Sequence, residues 1–243
     1  MTDKHAAESL IKAARALARK VDTLSFDGSV AYVYNPLHYA WNAHECYLQT
    51  YAASQKKVLF LGMNPGPWGM VQTGVPFGEI EAVKNWLGIE TKIGKPPREH
   101  PKRPVEGFYC SKSEVSGRRL WGLFKERFGT AASFFKDHFV ANYCPLVFME
   151  SSGRNKTPNT LPAAQTKKLY AACDEHLAKV IDHVHPQWVI GIGAFAAQRL
   201  ACCIPESSVI KLGRILHPSP ASPAANKDWS GAALRQLEAL GVW

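Results

Sequence analysis

The sequence predicts an α/β protein, a three-layer α/β/α sandwich around a central four-stranded parallel sheet. Four short runs rich in β-branched and aromatic residues, Val58 to Leu61, His138 to Asn142, Trp188 to Ile192 and Val209 to Leu212, read as buried strands. Amphipathic segments of helical length separate them, and a parallel pairing needs a crossover of about a dozen residues or more. The chain has 243 residues, 46% of them hydrophobic, enough for one full core. Residues 1–243 are therefore expected to form a single domain, with an N-terminal helix at about 5–20 packed on it.

Each element has a local reason. Leu10, Ile11, Ala14, Leu17, Ala18 and Val21 recur at three- and four-residue intervals, which makes the N-terminal helix amphipathic. A second helix is predicted around Trp41 to Ala53. After the first strand, a helical pattern from Glu79 to Leu87 stops at Gly88. Another, from Arg118 to Phe128, stops at Gly129, and a longer one spans Ala163 to Val184 with Leu169, Cys173, Leu177, Val180, Ile181 and Val184 on one face. Two long irregular stretches interrupt the pattern, the basic, Pro-rich Ile89 to Ser116 and the segment Ser151 to Pro162; loops this long without structure of their own are usually functional or disordered. Ligands of such sheets bind beyond the carboxyl ends of the strands. The loops that matter thus begin at Gly62, Tyr143 and Gly193 and, past Gly213, at His217.

Composition narrows the function. Lys and Arg total 29 against 20 Asp and Glu, a net charge of +9, which attracts polyanions such as nucleic acid. No apolar stretch is long enough to span a bilayer and the start lacks a signal-peptide pattern, so no membrane partner is expected and the protein is read as intracellular. Six scattered cysteines without a secretion signal favour reduced thiols. The groups His44, Glu45, Cys46 and His183, His185 lack a second ligand pair at a metal spacing and are read as packing or surface residues, with no metal assigned. "GIGAFA", residues 191 to 196, fits a dinucleotide fingerprint. The acidic residue that fingerprint requires is missing from "VIKLGR", and close helix-to-strand packing explains the glycines.

Two loops carry the chemistry. In "LGMNPGPWGM", residues 61 to 70, Pro65 and Pro67 fix the chain while Gly66 permits close backbone approach. The result is a stiff wall presenting Asn64. In "HPSPASP", residues 217 to 223, His217 is likewise followed by prolines.

These stretches, with "VYNPLHYAW", "EHPKRPVEG", "SEVSGRR", "NYCPLVFM", "SGRNKTP" and "HPSPASPAANKDW", resemble in order and spacing the single-strand-selective monofunctional uracil-DNA glycosylases, a branch of the uracil-DNA glycosylase superfamily. The resemblance implies the uracil-DNA glycosylase fold. It also implies a base-excision-repair hydrolase that cleaves the N-glycosidic bond of uracil, and of 5-substituted uracils such as 5-hydroxymethyluracil, in single- and double-stranded DNA. Such an enzyme flips the base out of the stack.

By the same resemblance Asn64 positions the attacking water and His217, as a neutral imidazole, donates a hydrogen bond to O2 of the departing uracil anion. Asn142 reads the Watson–Crick edge, accepting from N3–H and donating to O4, a pattern that cytosine mismatches. Phe77, thirteen residues after Asn64, stacks on the flipped base, and Met63 and Gly66 line the pocket through backbone groups. Lys102, Arg103, Arg118, Arg119, Arg154 and Lys156 are candidate phosphate contacts, and Ser219 and Ala221 belong to the loop that enters the duplex.

Ala221 departs from the pattern. Vertebrate members place an arginine there, so the wedge is either absent or supplied by Arg118 or Arg119, and a weaker advantage on duplex substrates is expected. Neither motif holds a lysine for a Schiff base, which implies a monofunctional reaction leaving an abasic site, without metal or organic cofactor. A monomer is expected, cytoplasmic and nucleoid-associated in a bacterium or nuclear in a eukaryote. Two other readings are a superfamily glycosylase for xanthine or hypoxanthine and a non-catalytic DNA-lesion-binding module, which would have no need of Asn64 or His217.

Overall fold

The computed structural model describes residues 7–243. In chain order the elements are α1 (Glu8–Asp22), β1 (Tyr32–Tyr34), α2 (Pro36–Tyr39), α3 (Trp41–Tyr51), β2 (Val58–Gly62), α4 (Met70–Thr73), α5 (Val115–Phe128) and α6 (Ala131–Asp137). The second half adds β3 (His138–Asn142), β4 (Val147–Met149), β5 (Asn155–Lys156), α7 (Ala163–Val184), β6 (Trp188–Ile192), α8 (Ala194–Cys203), β7 (Lys211–Ile215) and α9 (Pro223–Ala239).

Four strands form the expected parallel sheet, and their order is β3-β2-β6-β7. The register sets Gly62 opposite Asn142, and Ile192 opposite Ile215. Because all four strands point the same way, the loops after Gly62, Asn142, Ile192 and Ile215 converge on one edge. Helices flank the sheet in two mutually contacting groups, α1, α3, α7 and α8 in one and α5, α6 and α9 in the other. The predicted apolar face of α1 is buried at every named position from Leu10 to Val21. Residues 5 and 6 of the expected N-terminal helix lie outside the described residues. An aromatic core fastens α5 and α6 to the sheet: the rings of Phe60 and Phe124 are 5.1 Å apart and those of Phe124 and Phe134 stack at 4.3 Å. All six cysteines are free.

Some expectations are corrected. The last strand is Lys211–Ile215 rather than Val209 to Leu212, and Val209 is 94% exposed. A β-branched residue marked the wrong end because β7 is an edge strand whose inner positions are not uniformly apolar; Gly213 is a glycine because a Cβ there would meet Ile190 and Leu240 at 2.7 Å. The pattern at Glu79 to Leu87 is largely a π-helical turn, Ala82–Trp86. A second, antiparallel sheet, β1-β4-β5, lies beside the first and was not anticipated, since pairing of Tyr32–Tyr34 with Val147–Met149 is non-local and the strands are short. Gly191 needs no Cβ because one would fall 2.3 Å from the Ala197 backbone nitrogen, which is the close helix-to-strand packing expected. His44 and His183 each hold a backbone carbonyl through a ring nitrogen, of Gly74 and Ala52 respectively. Among the described residues no helix is long and apolar enough to cross a membrane.

Candidate active site

Strand β2 is buried along its whole length and delivers the chain to the carboxyl edge at Gly62. A Cβ at Gly62 would lie 2.4 Å from both Asn142 Oδ1 and Phe77 Cε2, so glycine there lets those two side chains close on the strand end. Two residues on, the Asn64 amide is oriented by its surroundings. Its Nδ2 donates to the carbonyls of Leu146 (3.1 Å) and Pro65 (3.4 Å), which assigns the amide and leaves Oδ1 as the remaining acceptor of a residue that lines the cleft. An amide oxygen in that position can hold a water by its proton.

His217 sits at the far end of the sheet edge. The backbone N–H of Ser219 donates to its Nδ1 at 3.1 Å, so Nδ1 carries no proton and the neutral ring keeps its hydrogen on Nε2. Burial lowers the pKa below the ordinary histidine value, which favours the same neutral form. The loop is braced behind it. Trp229 Nε1 donates to Leu216 O (2.7 Å), Ser222 caps α9 by accepting from Ala225 N, and Asn226 Nδ2 donates to Pro220 O (2.8 Å). Gly193 adopts φ +91°, and a Cβ there would stand 3.0 Å from His217 Cβ. The second glycine of "GIGAFA" thus makes room for the imidazole.

Asn142 ends β3. Its Nδ2 donates to Met70 Sδ at 3.3 Å, a weak acceptor, while Oδ1 is buried with no partner. A buried orphan acceptor costs about 1–3 kcal/mol, which a ligand N–H can recover. Phe77 has φ +52°, a left-handed conformation that side chains of its size rarely adopt. Its carbonyl is held by Glu79 N (2.7 Å) and Trp121 Nε1 (3.0 Å), and its ring faces His217 at 6.4 Å between centroids.

Asn64, Phe77, Asn142 and His217, with Met63, Gly66 and Ser219, line one cleft of about 410 Å³. Met70, Glu114, Asn155 and Thr157 also face it, none of them anticipated. Glu114 lies within "SEVSGRR", where nothing local distinguishes it from a surface carboxylate. Burial pushes its pKa up. Gln72, fully buried, was missed for the same reason: its amide joins Pro67 O and Pro104 O to the N–H groups of Glu106 and Gly107, tying the Asn64 loop to the basic loop.

The candidate phosphate contacts divide. Lys102, Arg118 and Arg154 are exposed, as is Ala221. Arg103 donates to Gly153 O and lies 5.1 Å over the Trp68 ring, with the Lys112 ammonium 4.7 Å from that ring. Lys156 pairs with Glu150 at 3.6 Å. Ser219 accepts from Ala221 N through its hydroxyl. Arg119 is turned inward: it donates to Pro218 O and Asn226 Oδ1, both at 3.0 Å, so its guanidinium supports the His217 loop instead of reaching out as a substitute wedge.

The family model of the uracil DNA glycosylase superfamily matches residues 48–238. The chain is 46% identical over 240 residues to a single-strand selective monofunctional uracil-DNA glycosylase of Rattus norvegicus, covering 97% of this chain and 85% of the relative. It is 45% identical to the counterpart from Bos taurus, covering 97% and 87%. Among solved structures it superposes on wild-type SMUG2 of Pedobacter heparinus with a TM-score of 0.63 at 19% identity, over 94% of this chain and 97% of that one, a likeness of fold. The chain therefore belongs to the uracil DNA glycosylase superfamily, in its single-strand selective monofunctional branch.

Proposed function

We propose that the protein hydrolyses the N-glycosidic bond of uracil in DNA and leaves an abasic site, as a monofunctional glycosylase of base excision repair. The observation that carries this reading is the set of unpaired polar groups around the cleft: an acceptor on Asn64, a donor on His217 and the buried, unpartnered Oδ1 of Asn142, beside an aromatic ring. An extruded uracil matches them. N3–H answers Asn142 Oδ1, O4 takes the remaining Nδ2 hydrogen, and O2 receives His217 Nε2–H.

Departure of the base leaves the bonding electron pair on uracil, with charge shared onto O2, and positive charge on the sugar. An amide is a poor base, so Asn64 acts by holding the water toward C1′ while the bond breaks dissociatively. The donor on His217 is fixed beforehand by Ser219 and meets the anion without reorganisation. Water then adds to C1′ and its proton neutralises the uracil anion, giving free uracil and an abasic sugar. Among the described residues lining the cleft there is no lysine, consistent with hydrolysis without an imine. Stacking on Phe77 would add roughly 1–3 kcal/mol to base binding. Single-stranded DNA is the favoured substrate in this reading, with 5-hydroxymethyluracil accepted, and the protein acts as a monomer.

The test is a panel of end-labelled oligonucleotides, each bearing one altered base, incubated with the protein and cleaved by alkali at abasic sites. Cleavage at uracil is expected and cleavage at cytosine is not. Xanthine or hypoxanthine cleaved in preference to uracil would contradict the reading.

A further inference from the structure

We infer that residues 114–121, the start of α5, form a buckle that sets the spacing between the Asn64 loop, Phe77 and the His217 loop, with Glu114 and Arg119 as its two positioning residues. The inference rests on the glycosylase reading above and gives roles to two residues that reading leaves unused.

Three attachments meet within this one stretch. At its first residue, the Glu114 side chain occupies the space left by two glycines of the Asn64 loop. A Cβ at Gly66 would lie 2.2 Å from Glu114 Oε2, and one at Gly69 would lie 2.9 Å from Glu114 Cγ. The carboxylate also engages the backbone N–H of Trp68, between those glycines. The glycines of "NPGPWG" therefore form a socket for Glu114 within the stiff wall. In the middle, a Cβ at Gly117 would fall 2.1 Å from Phe77 O, and Trp121 Nε1 donates to that same carbonyl. Ser113, just ahead, donates to Glu79 Oε1 at 2.9 Å and so holds the chain beyond Phe77. At the far end, Arg119 spans Pro218 O and Asn226 Oδ1, joining the residue after His217 to the helix that follows it.

The two catalytic side chains lie 153 positions apart in sequence, on loops after different strands. The sheet fixes where those loops begin. Their tips, where Asn64 and His217 project, are linked by the buckle. Displacing a reacting group by about 1 Å can cost roughly a hundredfold in rate, so a strut between the tips acts on turnover more than on substrate binding.

The test compares wild type with Glu114→Ala, Glu114→Gln, Arg119→Ala, Arg119→Lys and the double alanine variant, on a single-stranded oligonucleotide with one uracil. Each alanine variant should lower kcat by roughly 10- to 100-fold with KM changed by less than about threefold. Glu114→Gln, which keeps the shape and an acceptor oxygen, should restore most of the loss. Arg119→Lys, which cannot span both acceptors, should restore little. Once either end is open the spacing is lost, so the double variant should lose less than the product of the two singles. If Glu114→Ala does not fold, Arg119→Ala and Glu114→Gln carry the test. Folded alanine variants with wild-type kcat, or losses confined to KM, overturn the buckle. A wild-type protein inert on the same strand overturns the glycosylase reading beneath it instead.

Discussion

Replacing His217 by alanine isolates the leaving-group interaction. In the native protein the ring is oriented by one bond, Ser219 N–H to Nδ1 at 3.1 Å, and its pKa is lowered by burial. In the proposed reaction it offers uracil a single Nε2–H. A hydrogen bond to a charged group contributes about 1.5–3 kcal/mol, which at 1.4 kcal/mol per decade corresponds to a loss of roughly 10- to 150-fold in the chemical step. The assay is single-turnover excision from a labelled uracil strand, followed across pH. In wild type the rate should be flat from about pH 8 down to the ordinary histidine value near 6.5 and fall only below it, because protonating Nδ1 sets two N–H donors against each other and breaks the loop turn. A rate that rises as the pH drops through 6.5 would make imidazolium the active form and refute the assignment. So would an alanine variant within twofold of wild type.

Gly62→Ala should abolish most turnover and lower the melting temperature, because the new methyl meets Asn142 and Phe77 at 2.4 Å; excision kinetics and a melting curve check this, and a fully active variant would show that the two side chains need not close on the strand end. Ala221→Arg, at an exposed position on the loop after His217, should raise the ratio of duplex to single-strand excision; an unchanged ratio contradicts the missing-wedge argument. Burial lowers the pKa of His44 to about 4 and of His176 to about 3, both below the ordinary value. Between the folded and unfolded values the unfolded chain binds more protons, so stability should fall on acidification through that window. The drop is roughly 2 kcal/mol per group between pH 7 and 5, measured as urea midpoints at the two pH values; equal midpoints would contradict the burial of these rings.

The parallel sheet and the two motif loops were legible because their signals are local. "VLFLG" is a continuous apolar run, and "NPGPWG" and "HPSP" declare their stiffness residue by residue. Helix α9 also carries a local start signal, the Ser222 cap followed by Pro223. Other features depend on distant partners. The edge strand β7 is defined by pairing with β6 across a helix, and the small sheet β1-β4-β5 joins segments more than a hundred positions apart. Arg119 looked like a phosphate contact because charge alone is visible in sequence, whereas the carbonyl it holds is that of Pro218, on another element. Glu114 and Gln72 were overlooked for the same reason: each earns its place through backbone groups of loops that only the fold brings together.

The most direct test of the account is the double variant Asn64→Ala, His217→Ala, examined for binding and turnover on the same uracil-bearing single strand. The account, in which Asn142 reads the base edge and Phe77 stacks on it, predicts affinity close to that of wild type, with excision reduced to the background of the uncatalysed strand. Excision that persists in the folded double variant would contradict it.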